Sequence, residues 1–166
     1  MDIIYRRGSM ADLPDIELLV AEAVAQMKAY GIDQWDNLYP VGEDFQKDIA
    51  EKNLYVGHVN GDLAVLYALN RECEPEYADG AWKEPEKPFC VLHRLCVRPR
   101  YQNQGVAGRT MAHLEQAAKA DGAAAIRLDV FTENPYALRL YQRCGYQRTG
   151  RVNWRKGAFD LMEKYL

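Results

Sequence analysis

Three groups of residues in this chain have types and spacings that could do chemistry. The first is a strand end running into a helix start: Leu95-Cys96-Val97-Arg98-Pro99-Arg100-Tyr101-Gln102-Asn103-Gln104-Gly105-Val106-Ala107-Gly108-Arg109. The first amides of a helix have no partner within it, and together they carry about half a positive charge. Small residues, here Gly105 and Ala107, let a diphosphate approach those amides, and Arg109 could add a charge-assisted bond. On the turn alone, glycines that only permit close packing explain the residues equally well. The segment has neither the GxGxxG of dinucleotide folds nor the GxxxxGKS/T of phosphate loops, which disfavours a nicotinamide enzyme or a nucleotide hydrolase.

The second group is Tyr141, whose phenol, with an ordinary pKa near ~10, stays protonated at neutral pH and could donate a proton. The third is His93, two residues before Leu95, whose ordinary pKa near ~6.5 suits it to accept one. A core tyrosine with a satisfied hydroxyl and a buried histidine bonded to a neighbour are the structural alternatives. Asp129 on a later strand is a weaker candidate base.

The elements that must position these groups follow from periodicity. Ile3 to Arg7 reads as a strand. Ile16, Leu19, Val20, Ala23, Val24, Met27 and Tyr30 recur at helical spacing after Pro14 and end at Gly31. Phe45 to Lys52 reads as a shorter helix. Leu54 to Val59 and Leu63 to Leu69 read as strands joined by Asn60-Gly61, a hairpin turn signal.

Residues 70 to 88 lack periodicity and read as a long loop, rich in acidic residues and carrying Tyr77 and Trp82. Phe89 to Arg98 is a strand with Val91, His93, Leu95 and Val97 expected on one face. Gly105 to Asp121 is a helix with Met111, Leu114 and Ala118 on one side. A strand follows with Ile126, Leu128 and Val130 alternating against Arg127, Asp129 and Phe131. Asn134-Pro135 opens the next helix, with Asn134 as its N-cap and Ala137, Leu140, Tyr141 and Cys144 on one side. Two more strands complete the chain. The order β-α-α-β-β-β-α-β-α-β-β indicates one α/β domain around a mixed sheet.

Two motifs carry a family resemblance. Gln102-x-x-Gly105-x-Ala107 follows Leu95-x-Val97-x-Pro99, and Asn134, Ala137, Tyr141, Gly145 and Tyr146 fall at the spacing N-x-x-A-x-x-x-Y-x-x-x-G-Y. In this order, with a helix and a strand between, they resemble the GNAT superfamily of N-acetyltransferases. The first half of the chain matches by element order more than by residues. The resemblance implies a single GNAT domain over residues 1–166, with a central mixed, mostly antiparallel sheet flanked by about four helices.

It also implies acetyl-CoA as co-substrate and no metal. Backbone groups of Leu95, Cys96 and Val97 would pair with the pantetheine arm. Amides of Gln102, Asn103, Gln104, Gly105, Val106, Ala107 and Gly108, with Arg109 beside them, would hold the pyrophosphate. Asn134 would bond the arm, and Tyr141 would protonate the departing thiolate. Some amine-acetylating members resemble the pattern around His93 and use such a histidine as base. Many others use a strand glutamate, a position that Val91 holds here. Trp35, Tyr39, Tyr77 and Trp82 lie in the segments that cover the acceptor site in this family, and an aromatic, acidic lining suits a cationic amine.

The expected function is acetyl transfer to a primary amine of a small molecule or peptide; the alternative is a non-catalytic acyl-CoA sensor or regulatory module. A formal charge of −3 over 166 residues gives no bulk attraction to nucleic acid or anionic membrane. No apolar signal segment follows Met1 and no apolar run spans a bilayer, so a cytoplasmic setting is expected. A homodimer is compatible with the sequence. The four cysteines form no CxxC pair, and Cys90, Cys96 and Cys144 lie in apolar patterns that suit buried thiols.

Overall fold

The computed structural model describes residues Met1–Leu166. Its elements are β1 (Ile4–Arg7), α1 (Leu13–Ala29), α2 (Gly42–Ala50), β2 (Leu54–Val59), β3 (Asp62–Asn70), β4 (Phe89–Val97), α3 (Val106–Ala120), β5 (Ala125–Phe131), α4 (Pro135–Arg143), β6 (Gln147–Trp154) and β7 (Gly157–Tyr165). The strands form a seven-stranded sheet in the order β1-β2-β3-β4-β5-β7-β6. β1 with β2, β2 with β3, β5 with β7 and β6 with β7 pair antiparallel, while β4 and β5 pair parallel. This is the mixed α/β architecture expected from the element order.

The chain divides into two compact units. The first comprises residues 1–69 and 94–110, and the second residues 70–93 and 111–166. In the first, α1 presents Ile16, Leu19, Val20 and Ala23 to Phe45 of α2 and to Leu54, Val56, Leu63 and Leu66 of the β2–β3 hairpin. Those α1 positions are the helical stripe read from the sequence. Tyr30 is the exception: it stands beyond the helix end and is exposed. Asn60 and Gly61 adopt φ of +50° and +80°, as a two-residue hairpin joining Val59 to Asp62 requires.

In the second unit, Met111, Leu114 and Ala118 of α3 are buried, as their spacing predicts. The β5 alternation does not separate a wet face from a dry one. Arg127 is buried as well, its guanidinium lying 4.4 Å from the Trp82 ring centroid and 3.8 Å from that of Phe89, and it pairs with Glu163 at 3.1 Å. The aromatic faces and the carboxylate together offset the desolvation of that charge.

The segment between β3 and β4, a long acidic loop in the sequence, is anchored by its aromatic residues. Its Pro75–Asp79 stretch is a short 3-10 turn that buries Tyr77. The ring of Trp82 stacks on Tyr77 at 5.7 Å, and the Ala81 amide donates to the Thr149 carbonyl at 2.9 Å. Composition conceals this anchoring, because the acidic residues outnumber the two aromatics that hold the loop.

Candidate functional site

β4 is the strand on which the site residues concentrate, and it is not regular. Its ladder with β5 covers Phe89, Cys90 and Val91, ending at the pair Val91–Arg127. Arg94 then takes φ of +54°, a left-handed conformation in mid-strand that breaks the two-residue alternation. The expected common face of Val91, His93, Leu95 and Val97 is therefore corrected. Val91 and Leu92 are both buried, whereas Cys96, not Leu95 or Val97, is buried in the first unit. Nothing in the sequence marks Arg94 for this conformation, which glycine or asparagine would adopt more readily.

Tertiary contacts hold Arg94 there. Its Nε and Nη2 donate to the Asp48 carboxylate at 2.8 and 2.6 Å, and its Nη1 donates to the Tyr39 hydroxyl at 2.9 Å. Burial raises the Asp48 pKa, with Arg94 opposing that rise. Trp35, in the same loop as Tyr39, packs against the first unit's core.

Beyond Val97 the chain makes a 3-10 turn at Pro99–Tyr101 and then enters α3. Arg98, with its side chain buried, anchors the turn by donating to Glu22 at 2.9 Å, Asp15 at 2.8 Å and the Leu63 carbonyl at 3.0 Å. Gln102 Nε2 donates back to the Val97 carbonyl at 3.1 Å, and Gln104 Nε2 to the Arg100 carbonyl at 2.8 Å. Asn103 and Gly105 have φ of +59° and +81°.

A Cβ built on Gly105 or Gly108 meets no heavy atom within 4 Å. Close packing within the chain therefore does not require glycine at either position, which removes the steric explanation left open by the sequence. The positive φ of Gly105 does favour glycine there; Gly108 has no such reason. Arg109 donates to the Met1 carbonyl.

The second unit carries the candidate acid. Asn134 caps α4, its Oδ1 accepting from the Ala137 amide at 3.1 Å, with Pro135 at the first helical position, as the sequence predicts. Two turns on, Tyr141 is buried, its ring edge-on to Tyr146 at 5.9 Å. Burial drives the Tyr141 pKa well above that of an ordinary phenol, and the charge of Asp129 adds to the shift. The Tyr146 hydroxyl lies 3.1 Å from Glu115, which also binds Lys164 at 2.8 Å.

His93 Nε2 lies 2.9 Å from both Asn70 Oδ1 and the Glu72 carbonyl. A carbonyl only accepts, so Nε2 carries a proton, and in the neutral ring Nδ1 is the basic nitrogen. Tyr77 donates to Asp129 Oδ2 at 2.7 Å, and Trp82 Nε1 donates to the Tyr77 carbonyl at 2.7 Å. With only 2% of its surface exposed, Tyr77 does not line an open surface; its hydroxyl is committed to Asp129. Trp82, which stacks on Tyr77, is half-buried.

All four cysteines are free, and burial is the largest cause raising each thiol, Cys96 to about 12. Only Cys96 is fully buried; Cys90 and Cys144 are half-buried and Cys73 is exposed. No group of three or more His, Cys, Asp or Glu side chains is arranged to hold a metal ion, and no helix is long and apolar enough to cross a membrane.

These features are those of a coenzyme-A-dependent acyltransferase fold, and comparison with known proteins gives the family. Residues 24–146 match the model of the Acetyltransferase (GNAT) family. The chain belongs to that family. It is 31% identical over 121 residues to N-alpha-acetyltransferase RimI of Mycobacterium tuberculosis, covering 66% of each chain. The matched segments span from 32% to 66% of the length of the first curated relatives. A GNAT-family acetyltransferase structure from Streptococcus agalactiae superposes with a TM-score of 0.86 at 24% identity, over 99% of this chain and 95% of that one. The PaiA N-acetyltransferase of Thermoplasma acidophilum, solved in complex with coenzyme A, gives 0.75 at 18% identity over the whole of both chains. At those identities the likeness is one of fold.

Proposed function

We propose that residues 1–166 act as one N-acetyltransferase domain that moves an acetyl group from acetyl-CoA to a primary amine by direct attack. The observation that carries this reading is the turn from Gln102 to Gly108. Its exposed Gly108 has open space where a Cβ would stand and no backbone reason to be glycine. A ligand that must come within contact distance of the backbone supplies that reason. Family membership and the coenzyme A bound to the Thermoplasma relative point to the same donor.

In this mechanism the helix-start amides of α3 hold the pyrophosphate, and the backbone of Leu95, Cys96 and Val97 pairs with the pantetheine arm as an added strand. Asn134, whose Oδ1 is engaged in capping α4, bonds the arm through its Nδ2 group. Tyr141 gives its proton to the departing thiolate. Its raised pKa keeps it protonated at neutral pH and makes full transfer to a thiolate of ordinary pKa near ~8.5 uphill, so its O–H stabilises the developing charge on sulfur by hydrogen bonding, and any proton it passes on is restored from solvent before the next turnover.

His93 accepts the proton of the attacking ammonium, of which about one molecule in a thousand is neutral at pH 7. Nδ1 is the nitrogen that does so. None of the thiols is acidified, which supports direct attack over a covalent acetyl-cysteine. The acceptor is a small cationic amine or a peptide N-terminus, with Trp35 and Tyr39 on the acceptor side.

Thiol release from acetyl-CoA with a broad panel of amines tests the reading. Turnover with at least one amine is expected. Acetyl-CoA binding without turnover on any of them would make the chain an acyl-CoA sensor instead. His93→Ala should slow the active pair most near neutral pH and recover as pH rises; a pH profile parallel to the unmodified enzyme would reassign the base.

A further inference from the structure

A single carboxylate from the β2–β3 hairpin organises the turn that follows β4. Asp62 Oδ2 accepts from Arg100 Nε at 3.0 Å, from Arg100 Nη2 at 2.5 Å and from the Tyr101 hydroxyl at 2.6 Å. Its Oδ1 lies 3.3 Å from Arg98 Nη1. Asp62 therefore contacts the residue at the base of the turn and both of the last two residues of the 3-10 segment. Chain separations of 36, 38 and 39 residues make every one of these contacts tertiary.

The geometry on either side shows what this clamp sets. On one side the Arg98 amide donates to the Ala64 carbonyl at 2.8 Å, tying the turn's base to the strand that carries Asp62. On the other, Gln104 Nε2 reaches back to the Arg100 carbonyl, so the residues that lead into α3 hang from the segment Asp62 holds. Asn103 and Gly105 then take left-handed conformations before the helix begins. Amides bind a diphosphate well only when they converge on one point. The entropy of ordering a loop on binding is saved when the loop is already fixed.

We propose that Asp62 is a positioning residue for cofactor binding: it holds Arg100 and Tyr101 so that the amides of residues 102–108 converge on the diphosphate. It touches neither donor nor acceptor itself. The proposal rests on acetyl-CoA being the donor. It adds a residue that lies outside both family motifs and places the hairpin Asn60-Gly61-Asp62 in the cofactor site's support.

The test compares two acetyl donors in the full-length protein. Acetyl-CoA carries the diphosphate; acetyl-pantetheine carries the same thioester and arm without it. Asp62→Asn keeps the side-chain shape and removes the charge. It should raise the KM and Kd for acetyl-CoA about tenfold, a loss in keeping with one charge-assisted contact. The KM for acetyl-pantetheine, the KM for the amine and kcat at saturation should stay within about twofold. Tyr101→Phe should shift acetyl-CoA alone in the same direction by less.

A general structural defect would weaken both donors together, and that result overturns the proposal, as does an unchanged acetyl-CoA affinity in both variants. If Asp62→Asn does not fold, Tyr101→Phe decides by the same donor comparison. Failure of the unmodified protein to bind acetyl-CoA overturns the donor assignment as well, and so is distinguishable from failure of the clamp alone.

Discussion

The two compact units stabilise their candidate site residues by opposite means. Around the turn after β4, in the first unit, order comes from charge. Arg98 and Arg100 are shared among Asp15, Glu22 and Asp62, and the space where a Cβ would stand on Gly105 and Gly108 beyond them is open. Around Tyr141, in the second unit, order comes from burial: the ring packs on Tyr146 and the phenol pKa rises because water is excluded. The difference suits the role proposed for each group. Backbone donors that grip an anion, the role proposed for this turn, must stay exposed, and here distant ion pairs hold the segment that leads to them. The dry setting of Tyr141, the proposed acid, disfavours its anion, which preserves the proton to higher pH and makes the group a weaker acid.

Tyr141→Phe applies the largest strain to this comparison. Loss of the acid should lower kcat by about 10²- to 10⁴-fold while the Kd for acetyl-CoA, measured by calorimetry, hardly moves. The unmodified enzyme should also show no alkaline fall in kcat attributable to this group below about pH 10. Burial displaces its titration upward, so the proton is still present there. A fall in acetyl-CoA affinity matching the fall in kcat would show that Tyr141 supports binding, and the division of labour would fail.

Arg98→Met should act in the opposite way. Three carboxylates lose their shared cation, but each reaches water, so the cost is about 2–4 kcal/mol, somewhat below that of breaking a fully buried pair. Denaturant unfolding should show that loss, and acetyl-CoA affinity should fall with it. The kcat of the folded variant at saturating donor should be retained. A variant as stable as the parent would remove the ionic scaffold from the account.

The smallest effect concerns acid. The carboxylates with lowered pKa, Asp12 and Asp62, belong to the first unit. Asp12 is drawn from 3.8 to about 2 chiefly by its bonds from Arg6. A depressed carboxyl contributes stability that is present above its unfolded pKa and lost as pH falls towards its folded one. Asp12→Asn should therefore lower stability slightly at neutral pH and flatten its decline between about pH 4 and pH 2. Thermal melts across that window check it; parallel curves for both proteins would detach the Arg6–Asp12 pair from acid sensitivity.

Much of this arrangement is legible without coordinates. The α1 stripe, the Asn60-Gly61 hairpin, the Asn134 cap with Pro135 behind it, and the buried side of α3 all stand where local spacing places them. Each is a short-range feature: periodicity, capping and turn chemistry act within a few residues, so one chain segment contains the whole cause. The glycine turn is visible for the same reason, and the open space around Gly108 removes close packing within the chain as its explanation.

What only the tertiary structure decided depends on residues far apart in the chain. The left-handed Arg94 is held by Asp48 and Tyr39, 46 and 55 residues away. Tyr77 is turned inward to Asp129 across 52 residues, which takes it from an acceptor surface and makes it a support. Asp62 reads in the sequence as the residue after a turn, and becomes the partner of Arg98, Arg100 and Tyr101 only when the hairpin has paired. A carboxylate's charge is written in the chain, but which cation neutralises it is set by packing. Local spacing therefore determined the elements and their signatures, and long-range contacts decided how the reactive groups are held.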